Sequence, residues 1–438
     1  MKRILLILLI FPKFLAGHGD SCSHIELLNE GHSHCHEHKF WHLHVPSNEG
    51  IIRKYKDWIF GVNAFASLVF DHQGGKRGKS DVYSENYLSL TAIKPFSQSV
   101  LVLNSRFSLE PFTIGKRGYP LLLQVGGTAN NKTFLVDAQH PHDLFSELSM
   151  NYIIKLNEDS NFNIYLGLPG APALGPTGIQ VCNIDLAVPE SPLLHEALYS
   201  TEISYGVVTA GYNWRNITLE GSIFNGRETD KNHFIIHKPK LDSFCGRLTT
   251  IFPYNLSAQI SYGFLNSPEI VEPEINKKRL VVSLGWFKEF EDSYLQTMFG
   301  FAQNKHIPGN TTKGLIAEFL YNFKRNHSLF LRGELLETDE LFHDEHGHSH
   351  NQDNFNHCHK HDVNCKRKNG LEIDRELFDK IFNVGRISSG YLYKFPPMDH
   401  IRFGLGCSGN ISIIPEKLKP IYGNHPLSYY IYAQFELV

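Results

Sequence analysis

The sequence predicts an all-β fold, a transmembrane antiparallel up-and-down β-barrel of about sixteen strands. Three observations carry that expectation. Strand-like runs alternate apolar and polar residues at period two. Short and long connections alternate along the chain. Aromatic residues gather beside the short connections, where a membrane–water interface would hold them.

The alternation is plainest in the last stretch, LSYYIYAQFELV. Tyr429, Ile431, Ala433, Phe435 and Leu437 fall on one side of an extended chain, and Tyr430, Tyr432, Gln434 and Glu436 on the other. It reads as the closing strand. Leu256, Ala258, Ile260, Tyr262 and Phe264 alternate with Ser257, Gln259, Ser261 and Gly263. Leu280, Val282, Leu284 and Trp286 share a face, as do Ile401, Phe403, Leu405 and Cys407. A lipid-facing surface must be apolar, while a water-filled lumen tolerates small or polar residues.

From the N-terminus, residues 1–17 read as an export signal. Lys2 and Arg3 precede an apolar run, and Leu15-Ala16-Gly17 offers a cleavage site. Pro12 and Lys13 make the run too short for a membrane helix. Residues 18–56 are polar and histidine-rich and are expected to be a flexible periplasmic segment. Residues 57–438 are expected to be the barrel. Its strands are expected at 58–70, 83–96, 100–112, 144–156, 162–168, 202–214, 217–227, 241–252, 256–266, 279–290, 294–304, 314–323, 328–338, 384–395, 400–411 and 427–437. The short connections (KPFSQ, NEDSN, FPYN, FEDS, KRN, FPPMD) would be periplasmic turns. The long ones, with insertions at about 113–143, 169–200 and 339–383, would be external loops. Either of the first two insertions would narrow the lumen by folding inward. Residues 370–382 read as a short amphipathic helix across the barrel mouth.

The pattern resembles Gram-negative outer-membrane porin-like β-barrels. Ser108-Leu109-Glu110-Pro111, Gln139-His140-Pro141-His142-Asp143, Leu168-Pro169-Gly170, Phe224-Asn225-Gly226-Arg227 and Tyr422-Gly423-Asn424-His425-Pro426 also resemble stretches of a family of exported barrels with His-rich segments. The resemblance implies the outer membrane of a Gram-negative bacterium, with its lipid and the barrel-assembly machinery as partners. The final residue departs from the usual terminal aromatic: it is Val438.

Composition narrows the chemistry. The 438 residues carry a formal charge of −3, which makes no electrostatic case for nucleic acid. Seven scattered cysteines do not form a disulfide framework, although Cys358 and Cys365 lie near enough in sequence to pair. No phosphate-binding loop, metalloprotease HExxH or nucleophile elbow is present, and the chain reads as no enzyme.

The 25 histidines are the strongest chemical signal. His32, His34, His36, His38, His42 and His44 crowd the N-terminal segment. His346, His348, His350, His357, His359 and His361, with Cys358, crowd the third insertion. An H-x-H step lets two imidazoles reach one ion, and such donors suit Zn, Cu or Ni. No cofactor is required by this pattern. His140, His142 and Asp143 in QHPHD form a further loop or lumen site, favoured as a hydrogen-bonded loop anchor. The expected role is a channel or binding barrel linked to divalent transition-metal handling. The alternatives are a general small-solute porin with incidental histidines and a surface adhesion barrel.

Overall fold

The computed structural model describes residues 50–199, 203–228, 230–342, 377 and 380–438. The expected signal, the N-terminal histidines and the histidines of the third insertion lie outside these residues. Most of the expected mouth helix does too, and Phe382 begins a strand instead.

The strands are β1 (Ile51–Tyr55), β2 (Trp58–His72), β3 (Ser80–Tyr83), β4 (Asn86–Pro95), β5 (Ser99–Phe107), β6 (Tyr119–Thr128), β7 (Phe134–Gln139), β8 (Phe145–Asn157), β9 (Ser160–Gly167) and β10 (Val207–Trp214). They continue with β11 (Ile217–Phe224), β12 (Ser243–Phe252), β13 (Leu256–Leu265), β14 (Asn276–Glu289), β15 (Ser293–Ile307), β16 (Thr311–Phe323), β17 (His327–Thr338), β18 (Phe382–Lys394), β19 (Ile401–Ile413) and β20 (Leu427–Leu437). Short helices α1 (Glu110–Thr113), α2 (Gly178–Ala187), α3 (His195–Leu198) and α4 (Lys419–Tyr422) lie in the loops.

The main sheet has 18 strands. Sixteen of them form a closed antiparallel ring, because β20 pairs with β2 through Phe65↔Glu436 to His72↔Tyr429. Closure removes the sheet edges, whose unpaired backbone groups lipid cannot satisfy. The other two strands are short and sit beside β2. One is β1, inside the range expected to be flexible. Strands β6 and β7 form a separate hairpin within the β5–β8 loop.

The faces fall as the alternation predicts. Leu88, Leu103, Ile260, Leu284, Phe299 and Ile431 are exposed on the outside. Phe96, Trp214, Phe252, Tyr254, Phe290 and Phe395 are exposed at the short-turn end, which gives the barrel an aromatic girdle. The alternation of loop length fails at one place. β15 and β16 continue through the expected loop and leave only residues 308–310 between them. Their polar ends keep pairing beyond the apolar band, so the strands outlast the membrane face.

The sequence leaves open whether the lumen is open or plugged and which of the first two insertions folds inward; the largest cluster of buried apolar residues lies inside the ring. The inner wall contributes Val281, Met298, Ile316, Leu320, Phe330 and Leu392. The β5–β8 loop adds Leu121–Leu123, and the β9–β10 loop adds Ile184, Val188, Leu193, Leu194 and Leu198. Both loops fold inward. Their apolar side chains have no period that a sequence pattern could register, and burying them against the wall removes them from water.

Candidate functional site

The β9–β10 loop forms a plug that crosses the ring. Helix α2 starts after Thr177, whose backbone N–H donates to the Gln180 Oε1 at 3.4 Å. At this end the Ser283 hydroxyl donates to the same Oε1 at 2.7 Å, and Gln296 Nε2 donates to the Gln180 carbonyl at 3.0 Å. At the other end the last carbonyls of a helix lack partners within the helix. Here wall side chains supply them. Gln434 Nε2 donates to the Leu186 carbonyl at 2.8 Å, and the Tyr432 hydroxyl donates to that of Ala187 at 3.0 Å. Glu190 follows: its carboxylate accepts from Asn410 at 2.7 Å and from Ser388, and its carbonyl accepts from Arg332 at 2.8 Å. The plug is thus fastened to β14 and β15 on one side and to β17–β20 on the other.

The first residues of the plug also reach β11 and β13, where the Ala173 N–H donates to the Ser222 hydroxyl at 2.8 Å and the Gly175 N–H to the Ser261 hydroxyl at 2.9 Å. Inward positions of β13–β17 such as Gln259, Met298, Leu320 and Arg332 are buried beneath the plug. Across β4–β11, Thr91, Asn104, Asn151, Asn163, Asn213 and Thr218 point inward and stay partly accessible to water. They form a belt in two hydrogen-bonded groups, Thr91 with Asn104 and Asn151 with Asn163, Asn213 and Thr218. The Thr91 hydroxyl donates to Asn104 at 3.0 Å, Asn163 to Asn151 at 3.4 Å, Asn213 to Asn161 at 2.7 Å, and the Thr218 hydroxyl to Asn213 at 2.6 Å. The belt itself is uncharged. Beside it, Arg247 Nε donates to Glu220 at 2.8 Å. Arg106 stacks over the Tyr87 ring at 5.5 Å, and Glu147 accepts from Ser149 at 2.6 Å.

The long-loop end gathers charge. Lys277 Nζ on β14 contacts Glu269 at 2.7 Å, Glu196 at 3.3 Å and Glu340 at 3.5 Å, each from a different loop. Glu228 and Glu196 share a hydrogen bond. Burial, reinforced by Glu196 and Glu269, pushes Glu228 well above the carboxylate range, so it donates as the neutral acid. For Glu196, burial works upward, but Lys277 and Arg279 outweigh it and hold the carboxylate low. Burial raises Glu269 to about 7 against the pull of Lys277. Carboxylate oxygens of Glu196, Glu228 and Glu269 lie within 4.8 Å of one another, as do single ligand atoms of His306, Asp339 and Glu340.

The QHPHD residues resolve into anchors. His142 donates from its backbone N–H to Glu110 at 2.8 Å, and its Nδ1 lies 2.8 Å from the same oxygen. Burial opposes Glu110 ionisation, yet His142 holds its pKa below the usual value. Asp143 pairs with His233 Nδ1 at 2.7 Å. His140 bonds the Gly126 carbonyl at 3.1 Å and stacks on His233 with centroids 6.2 Å apart. Burial, with His233, lowers His140 to about 4. Burial, with His140, lowers His195 to about 3. Each of the three residues bonds a separate partner: Gly126, Glu110 and His233. Sequence reasoning missed Glu190, Lys277 and the asparagine belt. The belt had a signal, since Asn104, Asn151, Asn163 and Asn213 all occupy inward strand positions.

No protein-family model matches the chain, and no curated protein matches it. Among solved structures, OmpF of Salmonella typhi in complex with daunomycin has 9% identity and a TM-score of 0.49, covering 88% of this chain and 100% of that one. The anion-selective porin from Comamonas acidovorans has 9% identity and a TM-score of 0.49, covering 87% and 100%. The outer-membrane channel DcaP of Acinetobacter baumannii has 11% identity and a TM-score of 0.42, covering 88% and 99%. These are likenesses of barrel to barrel, and the functional argument rests on the interior geometry alone.

Proposed function

We propose that the chain is a porin-like channel of a Gram-negative outer membrane, exported and placed there by the barrel-assembly machinery. Small solutes pass along one side of the lumen, between the plug and the β4–β11 wall. The asymmetry of the interior carries this reading. The inward face of β13–β17 is buried, while on β4–β11 Thr91, Asn104, Asn151, Asn163, Asn213 and Thr218 stay partly accessible among buried neighbours such as Ser89, Val102, Thr209 and Ser222. Planar-bilayer conductance tests it. Steady, low unitary conductance is expected from the intact chain. A membrane that stays electrically silent, with the protein inserted, would sink the channel reading.

A second reading keeps divalent transition metals as a regulator or cargo. It is favoured by the mouth, where His306 stands beside Asp339 and Glu340 at the root of the loop that carries the histidine tract. Micromolar Zn or Cu is expected to reduce conductance in the intact chain and not in one lacking residues 343–361. Equal response in both would remove the metal from the function.

A further inference from the structure

We infer that the belt of Thr91, Asn104, Asn151, Asn163, Asn213 and Thr218 is a filter for uncharged, hydroxyl-rich solutes of sugar or polyol size. This rests on the channel reading and adds the substrate class. The belt spans six adjacent strands, β4, β5, β8, β9, β10 and β11, and contains no charged side chain. Each carboxamide offers two donors and a two-lone-pair acceptor, more than belt contacts use. Among the described residues, the Nδ2 groups of Asn104 and Asn151 donate to no protein atom, and both side chains face the water-accessible side. A solute with several hydroxyls can both donate to and accept from such a surface, exchanging its hydration bonds one by one.

Electrostatics points the same way. A charged belt would favour one sign of ion through the low dielectric of the wall. The wall beside the belt holds Arg106 and Glu147 on facing strand positions and the Glu220–Arg247 pair, so opposite charges stand together. Little ion preference results, and hydrogen bonding is left to discriminate.

The test combines conductance and calorimetry on the full chain. In bilayers, the cation-to-anion permeability ratio is expected to stay within about twofold of unity, since opposite charges stand together beside the belt. Maltose or sorbitol is expected to reduce KCl conductance reversibly. The variant N104A/N151A should conduct KCl but lose at least five-fold in sugar block. The near-isosteric N151D should become cation-selective and weaken the block. Titration calorimetry of the detergent-solubilised barrel with maltose, and separately with sodium gluconate, decides the solute class without conduction. Maltose heat that disappears in N104A/N151A supports the filter even if the bilayer is silent, a result that would overturn only the channel reading. Strong ion selectivity without sugar block, or gluconate binding in preference to maltose, overturns the filter and leaves the channel intact.

Discussion

Asn410 Nδ2 donates to Glu190 Oε2 at 2.7 Å, joining the end of the plug to the inner face of β19. Glu190 is 3% exposed, and Ser388 donates to its other oxygen. Hydrogen bonds to a charged group contribute about 1.5–3 kcal/mol each. Replacing Glu190 with Ala leaves the Asn410 and Ser388 donors without their acceptor. Such a variant is expected to loosen the plug by roughly 2–3 kcal/mol. Single-channel recording should then show larger and noisier conductance; unaltered recordings would mean that Glu190 does not hold the plug.

Gly314 sits where a side chain would strike the plug. A Cβ there would lie 2.6 Å from Leu194 Cδ2. Overpacking of this kind costs about 1–3 kcal/mol. G314V is therefore expected to displace the α3 segment while the barrel itself stays closed. Limited proteolysis should cut the β9–β10 loop faster than in the parent, with heat-modifiable migration of the barrel unchanged.

Lys277, at 1% exposure, is the shared counter-charge for carboxylates from three loops. Removing one partner from a buried ionic group costs about 3–5 kcal/mol, because the remaining charges are stranded. K277M should lower the thermal midpoint and free the loops bearing Glu196, Glu269 and Glu340 together. Hydrogen exchange would register the three loops as one unit. Independent changes would show that Lys277 does not couple them.

Acidification tests the histidines beneath the mouth. His140 and His195 titrate at about 4 and 3 in the folded chain, against about 6.5 when unfolded. Between those values the unfolded chain binds more protons, so their contribution to stability falls as the pH falls from 6.5 to about 4. Glu228 and Glu269 run the other way. Burial raises both, and their contribution is fullest in acid and is lost as the pH rises, through about 7 for Glu269. The difference between H140N/H195N and the parent isolates the first effect. It should be smallest at pH 8 and grow in favour of the variant as the pH drops to 4 in detergent melts. A difference independent of pH would contradict the half-buried, neutral imidazoles.

The ring was legible in the sequence because its physics is local. Lipid on one side and protein or water on the other force every second residue of β13 or β20 to be apolar, and period two is visible without knowing the neighbours. That one of the first two insertions folds inward was expected, but the contacts that hold the plug were not legible. Leu193, Leu194 and Leu198 look like ordinary loop residues until the wall behind them is known, and Gly285 and Gly314 gain meaning only from the Gln180 and Leu194 side chains pressed against them. QHPHD makes close polar contacts that the sequence does not specify. Its partners, Glu110 and His233, lie 32 and 90 positions away in sequence, which no spacing rule connects.

The apolar packing of plug against wall also fixes how opening must respond to heat. Withdrawing Leu194, Leu198 and Val188 from Met298, Ile316 and Leu320 would wet surface that is now dry. Wetting apolar surface raises heat capacity by about 0.45 cal/mol/K for each Å². The closed and open states would then differ in heat capacity, and their balance would trace a curve against temperature. Such a passage is narrowest at an intermediate temperature and widens on cooling as well as on warming.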